Sequence, residues 1–204
     1  MEYYHNIITQ KSWQELIDLS KSIDFILIGG WAIYLYTKQL KSKDIDIIID
    51  YDQLPVLEKK YILTKNERLK KYQAQKEEIE IDLYLPHFST IGLPVETLIK
   101  QAKNQEGFQV LEEQYLFVLK VFVLSQRANT PKGRKDLLDI VGLAVARDLD
   151  WQKIKTIVRE FNLDEALNNF LDLLKQEKEM PEINLNQHQL SRLKKEITQG
   201  LRWQ

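Results

Sequence analysis

The stretch from Phe25 to Asp50, FILIGGWAIYLYTKQLKSKDIDIIID, constrains this chain more than any other. Phe25-Ile26-Leu27-Ile28 is a continuous apolar run, the pattern of a strand covered on both faces. Gly29 and Gly30 follow it directly, two of only seven glycines in the chain. Paired glycines after a buried strand let the backbone turn sharply and let another group, such as a phosphate, come close. Thirteen residues then separate Gly30 from Asp44-Ile45-Asp46-Ile47. Alternate side chains of a strand share a face, so Asp44 and Asp46 are expected to point one way while Ile45, Ile47 and Ile49 enter the core. Two carboxylates side by side repel each other unless a cation stands between them, and hard oxygen donors in that arrangement suit Mg²⁺ or Mn²⁺.

A second alternating segment, Glu78-Ile79-Glu80-Ile81-Asp82-Leu83-Tyr84-Leu85, puts Glu80 and Asp82 on the face opposite Ile79, Ile81 and Leu83. The ordered set of an apolar residue, Gly-Gly, a spacer, Asp-x-Asp between apolar residues and a later carboxylate strand resembles the polymerase-beta-like nucleotidyltransferase superfamily. The resemblance implies an α+β (α/β) fold, a mixed sheet with flanking helices. It implies that Asp44, Asp46 and Asp82 are the catalytic and metal-binding carboxylates, with Glu80 as the alternative third. Asp82 is preferred because apolar residues frame it and it lies nearer the expected strand end. Gly29 and Gly30 would let backbone N–H groups approach the nucleotide phosphates. Related proteins often carry an arginine four residues before the first aspartate and a threonine two before it. Here Ser42 stands at the hydroxyl position, Leu40 at the arginine position, and the nearby cations are Lys41 and Lys43, so Ser42 and Lys43 are the candidate nucleotide contacts.

Along the rest of the chain, Ser12-Trp13-Gln14-Glu15 reads as a capping box opening a helix through Leu19, which leaves residues 1–11 as an arm. Residues 51–61 read as a helix with Pro55 in its first turn. Lys59, Lys60, Lys65, Arg68, Lys70 and Lys71 then crowd together against Glu67, either as a surface for a nucleic-acid backbone or triphosphate, or as a solvated hairpin that balances nearby acids. Val95 to Lys103 reads as a helix and Phe108 to Leu111 as a last strand. From residue 113 the periodicity is helical throughout, with Asp150 and Asn186 as caps, so the expected division is an α/β domain of 1–112 and an all-helical domain of 113–204.

Leu119-Lys120, Arg127 and Lys135-Asp136-Leu137-Leu138-Asp139 resemble the helical region of minimal nucleotidyltransferases, including abortive-infection toxins of toxin–antitoxin systems. Lys120 and Arg127 lie two helical turns apart and share a face. They either reach the nucleotide triphosphate, oriented by Asp136 or Asp139, or form an interhelical ion pair with those carboxylates. The resemblance implies a transferase acting on an NTP with Mg²⁺ or Mn²⁺. A hydroxyl attacks the α-phosphate in line, pyrophosphate leaves, and Asp82 completes the metal site and takes or acidifies the hydroxyl proton. The acceptor would be an RNA 3′ end such as that of tRNA, a protein side chain or a small molecule. A catalytically silent nucleotide-binding half of a toxin–antitoxin pair and an antibiotic-modifying transferase are the competing readings.

Composition sets the outer limits. The net charge of −1 gives no overall field toward nucleic acid, so any such contact is local. The absence of cysteine removes disulfides, thiolate metal sites and cysteine nucleophiles. No apolar run approaches the ~20 residues needed to span a bilayer, and no signal-peptide order is seen at the N-terminus, so a cytoplasmic protein is expected. His5, His87 and His188 share no metal spacing. Trp13, Trp31, Trp151 and Trp203 read as core or interface groups. Neither a phosphate-binding P-loop motif nor a G-x-S-x-G elbow occurs.

Overall fold

The structure, a computed structural model, describes residues 2–202, with side chains from residue 7 onward. Met1, the His5 side chain, Trp203 and Gln204 lie outside the described residues. The chain divides into two compact units, 1–111 and 112–204.

The first unit runs α1 (Glu2–Leu19), β1 (Ile26–Ile28), α2 (Gly29–Thr37), β2 (Ile45–Ile48), a 3₁₀ turn (Tyr51–Gln53) and α3 (Leu54–Glu58). It continues with β3 (Ile62–Asn66), β4 (Lys71–Lys76), β5 (Ile79–Tyr84), the small hairpin β6 (Thr90–Ile91) and β7 (Leu93–Pro94), α4 (Val95–Ile99), β8 (Ala102–Gln105) and β9 (Phe108–Leu111). Seven strands form one mixed sheet in the order β3-β4-β5-β2-β1-β9-β8. β2 pairs parallel to β5 and β1 parallel to β9, while β1 and β2 are antiparallel across the α2 connection. The apolar run that suggested a doubly covered strand is β1, flanked by β2 and β9. Ile45, Ile47, Ile81, Leu83 and Ala74 are fully buried, and Leu27 lies opposite Ile47. The alternate positions Asp46, Gln73, Glu80 and Asp82 are left on the other face.

Three elements differ from the sequence expectation. Residues 2–11 are helical, so Ser12 sits inside α1 rather than at its start. Thr9, Ser12, Leu16 and Leu19 are all buried and make one continuous helical stripe, whose first two members are polar and therefore hid the helix from hydrophobic periodicity. Ser12 accepts a hydrogen bond from the buried Trp31 indole N–H at 2.8 Å. Trp13 lies against Trp31 with ring centroids 4.9 Å apart, so these two tryptophans belong to one aromatic cluster with Tyr34. Second, the helix expected over 95–103 stops at Ile99, because residues 102–105 pair with 108–111 around Glu106-Gly107, both at positive φ. Positive φ at both central residues is the two-residue hairpin turn that matches strand twist. Third, 51–61 is a 3₁₀ turn and a single short helix, and the chain is already extended at Ile62.

The basic stretch is the β3–β4 hairpin. Lys65 and Lys70 pair with Glu67 at 2.7 and 3.3 Å, and both ammonium groups stand over the Phe88 ring.

The second unit is helical: α5 (Glu113–Arg127), α6 (Pro131–Ala146), α7 (Trp151–Glu160), α8 (Asp164–Gln176) and α9 (Gln187–Leu201). Thr130, Asp150 and Asn186 each cap the following helix through the side-chain oxygen, and Asn186 with Gln189 forms a full capping box. Phe117 and Phe170 fill its centre edge to face. No described helix is long and apolar enough to cross a membrane.

Ser12→Ala leaves the buried Trp31 N–H without its acceptor. The expected loss of stability is ~1–3 kcal/mol, the cost of an unsatisfied buried donor. Urea unfolding that shows no shift of the midpoint would refute this bond.

Candidate active site: a carboxylate pair beside a double-glycine turn

β1 ends at Ile28, whose register partner on β2 is Asp46. The chain then turns at once into α2, with Gly29 at φ 69° and Gly30 buried. A Cβ built on Gly29 would lie 2.1 Å from Asp46 Oδ2, so the backbone here runs hard against the carboxylate and only glycine fits. The N-terminus of the nine-residue α2, which receives no cap from the Ile28 side chain, lies with its positive dipole end at this same turn.

Asp46 stands beside Asp82 on the parallel pair β2–β5. Neighbouring strands are about 4.8 Å apart, so the two side chains share one face at adjacent positions. Asp44 precedes β2, which begins at Ile45, so the expectation that both aspartates of Asp44-Ile45-Asp46 lie within the strand is corrected. Asp46 is inside the ladder and Asp44 is in the bend that enters it. Glu80 is exposed on β5 opposite Gln75, whereas Asp82 is half-buried opposite Gln73. Ser42 is buried and Lys41 and Lys43 are exposed on the approach to Asp44.

Asp82 has two donors. Lys71 Nζ lies 2.5 Å from its Oδ2, and Gln73 Nε2 lies 3.3 Å from its Oδ1 while also bonding Glu80. Lys71 and Asp82 side chains are only 13% and 15% exposed, so this ion pair is not one of the loose surface pairs around it. In sequence Lys71 is one of six basic residues crowded between 59 and 71. Lys71 and Gln73 alternate on β4 as Glu80 and Asp82 do on β5, but only the strand register shows that they meet.

Among the described residues no group of three or more carboxylate or imidazole side chains is gathered closely enough to hold a metal ion. Asp46 and Asp82 are register neighbours, Asp44 lies two residues before Asp46, and carboxylate oxygens are donors of the kind a hard cation takes. A cavity of about 370 Å³ lined by Phe25, Ile48, Asp50 and Phe108 opens at the opposite ends of β1 and β2 and is no part of this site.

In the second unit, Lys120 Nζ is buried between Asp136 Oδ1 at 2.9 Å and Asp139 Oδ2 at 2.8 Å. Arg127 Nε reaches Asp136 Oδ2 at 2.7 Å, and Lys135 Nζ reaches Asp139 Oδ2 at 3.0 Å. This ties α5 to α6. Burial opposes the charge on Lys120, but Asp139 and Asp136 outweigh it and raise its pKa above the usual lysine value. Burial likewise works against an ionised Asp136, and Lys120 with Arg127 overcomes it, holding that carboxyl below the usual range.

No family model matches the chain, and no curated protein sequence matches it. Among solved structures, the antibiotic-resistance factor ANT(2'')-Ia aligns over 83% of this chain and 97% of its own, at 12% identity and a TM-score of 0.55. A candidate nucleotidyltransferase from Helicobacter pylori aligns over 96% and 97% at 15% identity with a TM-score of 0.48. JHP933 from Helicobacter pylori aligns over 94% of both chains at 13% identity, also with a TM-score of 0.48. At these identities the likeness is one of fold, and the fold is the mixed α+β nucleotidyltransferase fold that the motif set implied.

Two outcomes are expected from the second-unit cluster. Lys120→Met removes the buried cation that two carboxylates share, leaving Asp136 to Arg127 and Asp139 to Lys135, and should cost ~3–5 kcal/mol of stability, measured by urea unfolding. Unchanged stability with weakened NTP binding would instead assign the lysine to the triphosphate. Because the native pKa of Asp136 is depressed, its stabilisation is present above the unfolded value of about 3.9 and is lost as pH falls through the native one. The cluster's contribution is therefore expected to hold through neutral pH and to disappear in acid, read as a converging stability of wild type and Asp136→Asn below about pH 4.

Proposed function

We propose that this protein is a divalent-metal-dependent nucleotidyltransferase that moves an NMP from an NTP to a hydroxyl acceptor. The observation that supports it most is the placement of Asp46 beside Asp82 on adjacent parallel strands, against the Gly29 turn that opens α2. Three carboxylates near one strand end and a glycine-opened helix N-terminus are the two halves of a phosphoryl-transfer site, one gathering cations and the other accepting phosphate oxygens.

On this reading Asp44, Asp46 and Asp82 would hold Mg²⁺ or Mn²⁺. Such an ion, when bound, neutralises the developing phosphate charge and polarises the entering and leaving oxygens. The chain's own residues do the rest. Gly29 and Gly30 present backbone N–H groups to the β- and γ-phosphates, and the absence of a Cβ at Gly29 lets the Asp46 carboxylate lie directly against this turn. Ser42 and Lys43 flank the same strand entry and serve as nucleotide contacts. The acceptor hydroxyl oxygen bonds to the α-phosphorus as the bond from that phosphorus to the bridging oxygen breaks. Pyrophosphate carries away the electron pair, and the hydroxyl proton passes to Asp82. In the second unit Lys120 and Arg127 bond Asp136, and this ion cluster holds α5 to α6. The acceptor class is an RNA 3′ end or a protein side chain, and the biological setting is a toxin–antitoxin pair with a cognate partner chain.

Asp44→Asn combined with Asp46→Asn should abolish Mg²⁺-dependent transfer and leave the circular dichroism and melting temperature close to wild type. Purified protein would be incubated with Mg²⁺ or Mn²⁺, each α-labelled NTP in turn and total tRNA, then resolved on a denaturing gel. Label on RNA or on protein that vanishes in the double variant identifies the acceptor. Transfer that survives in the double variant would overturn the assignment of these carboxylates.

A further inference from the structure

Lys71 is the one hairpin lysine that crosses toward the carboxylates. Lys65 and Lys70 are held by Glu67 and by the Phe88 ring, whereas Lys71, the first residue of β4, bonds Asp82. The face it shares is set by register. Gln73 lies opposite Asp82 and Lys71 is two residues before it, so the ammonium approaches Asp82 along the sheet diagonal from the side away from Asp46. Gln73 takes the other oxygen of Asp82 and fixes the carboxylate plane. Asp82 is thus held by a lysine and an amide beside a second carboxylate, Asp46, on the neighbouring strand.

We infer that Lys71 is an exchangeable counter-ion, a positioning residue that holds Asp82 in register until a divalent cation takes its place. The inference rests on the nucleotidyltransferase reading above. The physical case is competition. An ammonium 2.5 Å from Oδ2 uses the lone pairs a metal ion would need, and an ammonium and a divalent ion cannot both stand there without strong repulsion. Lys71 has a route out, because it is on the last turnward residue of a hairpin whose adjoining turn, 67–70, is exposed. Lysine suits this role better than arginine would, since its single ammonium on a flexible stem makes one point contact and not a planar fork. With Lys71 in place Asp82 is neutralised and aimed, and Asp46 is spared part of its neighbour's charge. With a divalent ion in place, the ammonium is released on the same face, where a triphosphate would meet it.

The test measures Mn²⁺ binding to the full chain by electron paramagnetic resonance, without nucleotide, in wild type, Lys71→Met and Asp44→Asn/Asp46→Asn. Methionine keeps the length of the stem and removes the charge. Lys71→Met is expected to bind Mn²⁺ about tenfold more tightly and to melt at a lower temperature than wild type in the absence of metal, with the difference closing as Mn²⁺ is added. Wild type that binds Mn²⁺ no more weakly than Lys71→Met would overturn the exchange while leaving the transferase reading intact, because binding would still depend on Asp44 and Asp46. Absence of Mn²⁺ binding in all three proteins, each folded by circular dichroism, would overturn the exchange together with the metal site. Lys71→Arg supplies the check on charge alone: it should keep wild-type or weaker Mn²⁺ affinity, and an affinity as tight as that of Lys71→Met would show that the effect is one of packing.

Discussion

The first unit is built around a pair of register-matched carboxylates. Asp46 and Asp82 are placed side by side because β2 and β5 run parallel with those residues in register, and the register cannot slip without turning Ile45, Ile47, Ile81 and Leu83 out of the core. The buried isoleucines and leucines therefore hold two like charges together. The same tightness reaches the next turn. Asp46 leaves no space for a side chain at residue 29, so the backbone of the turn becomes part of the carboxylate's surroundings.

Both units answer the problem of paired carboxylates with a lysine, and the two answers differ in kind. Lys120 is buried between Asp136 and Asp139, which sit one helical turn apart on α6, and the outer cations Arg127 and Lys135 close the cluster. Lys120 is the one cluster cation shared by both carboxylates and buried with them, so this lysine is a fixed component of helix packing. Lys71 faces a single carboxylate from the edge of an exposed hairpin and has only an amide for company. The first arrangement fits permanence and the second fits replacement.

The elements legible in the sequence were those whose pattern was carried by side chains of one type. β1, α2, β2 and β5 follow from apolar runs and strict alternation, and the caps Asp150 and Asn186 follow from short polar side chains just ahead of amphipathic helices. What was not legible depended on tertiary partners. The first half of α1 buries Thr9 and Ser12, and Ser12 earns its place only through the Trp31 indole. β9 is legible as the run Phe108 to Leu111, but β8 is not, because its turn at Glu106-Gly107 puts a glutamate at positive φ without a compositional signal and Ala102 and Lys103 continue the helical reading from Val95. Lys71 was visible as one of six basic residues. Its contact with Asp82 exists only once three strands have been aligned, and no spacing in the chain encodes that alignment.

The position of Asp44 bears on how such a site would work. Asp46 and Asp82 belong to paired strands, and their backbones are fixed by ladder hydrogen bonds on both sides. Asp44 lies one residue outside β2, at the end of the segment 38–44 that returns from α2. A small divalent ion demands near-ideal octahedral geometry and is poorly served by three rigid carboxylates set at a strand spacing of about 4.8 Å. Two fixed carboxylates and one on an adjustable bend meet that demand more readily. On the proposed reading the ladder supplies alignment, the bend supplies fit, and the lysine on the hairpin supplies charge balance until the cation arrives.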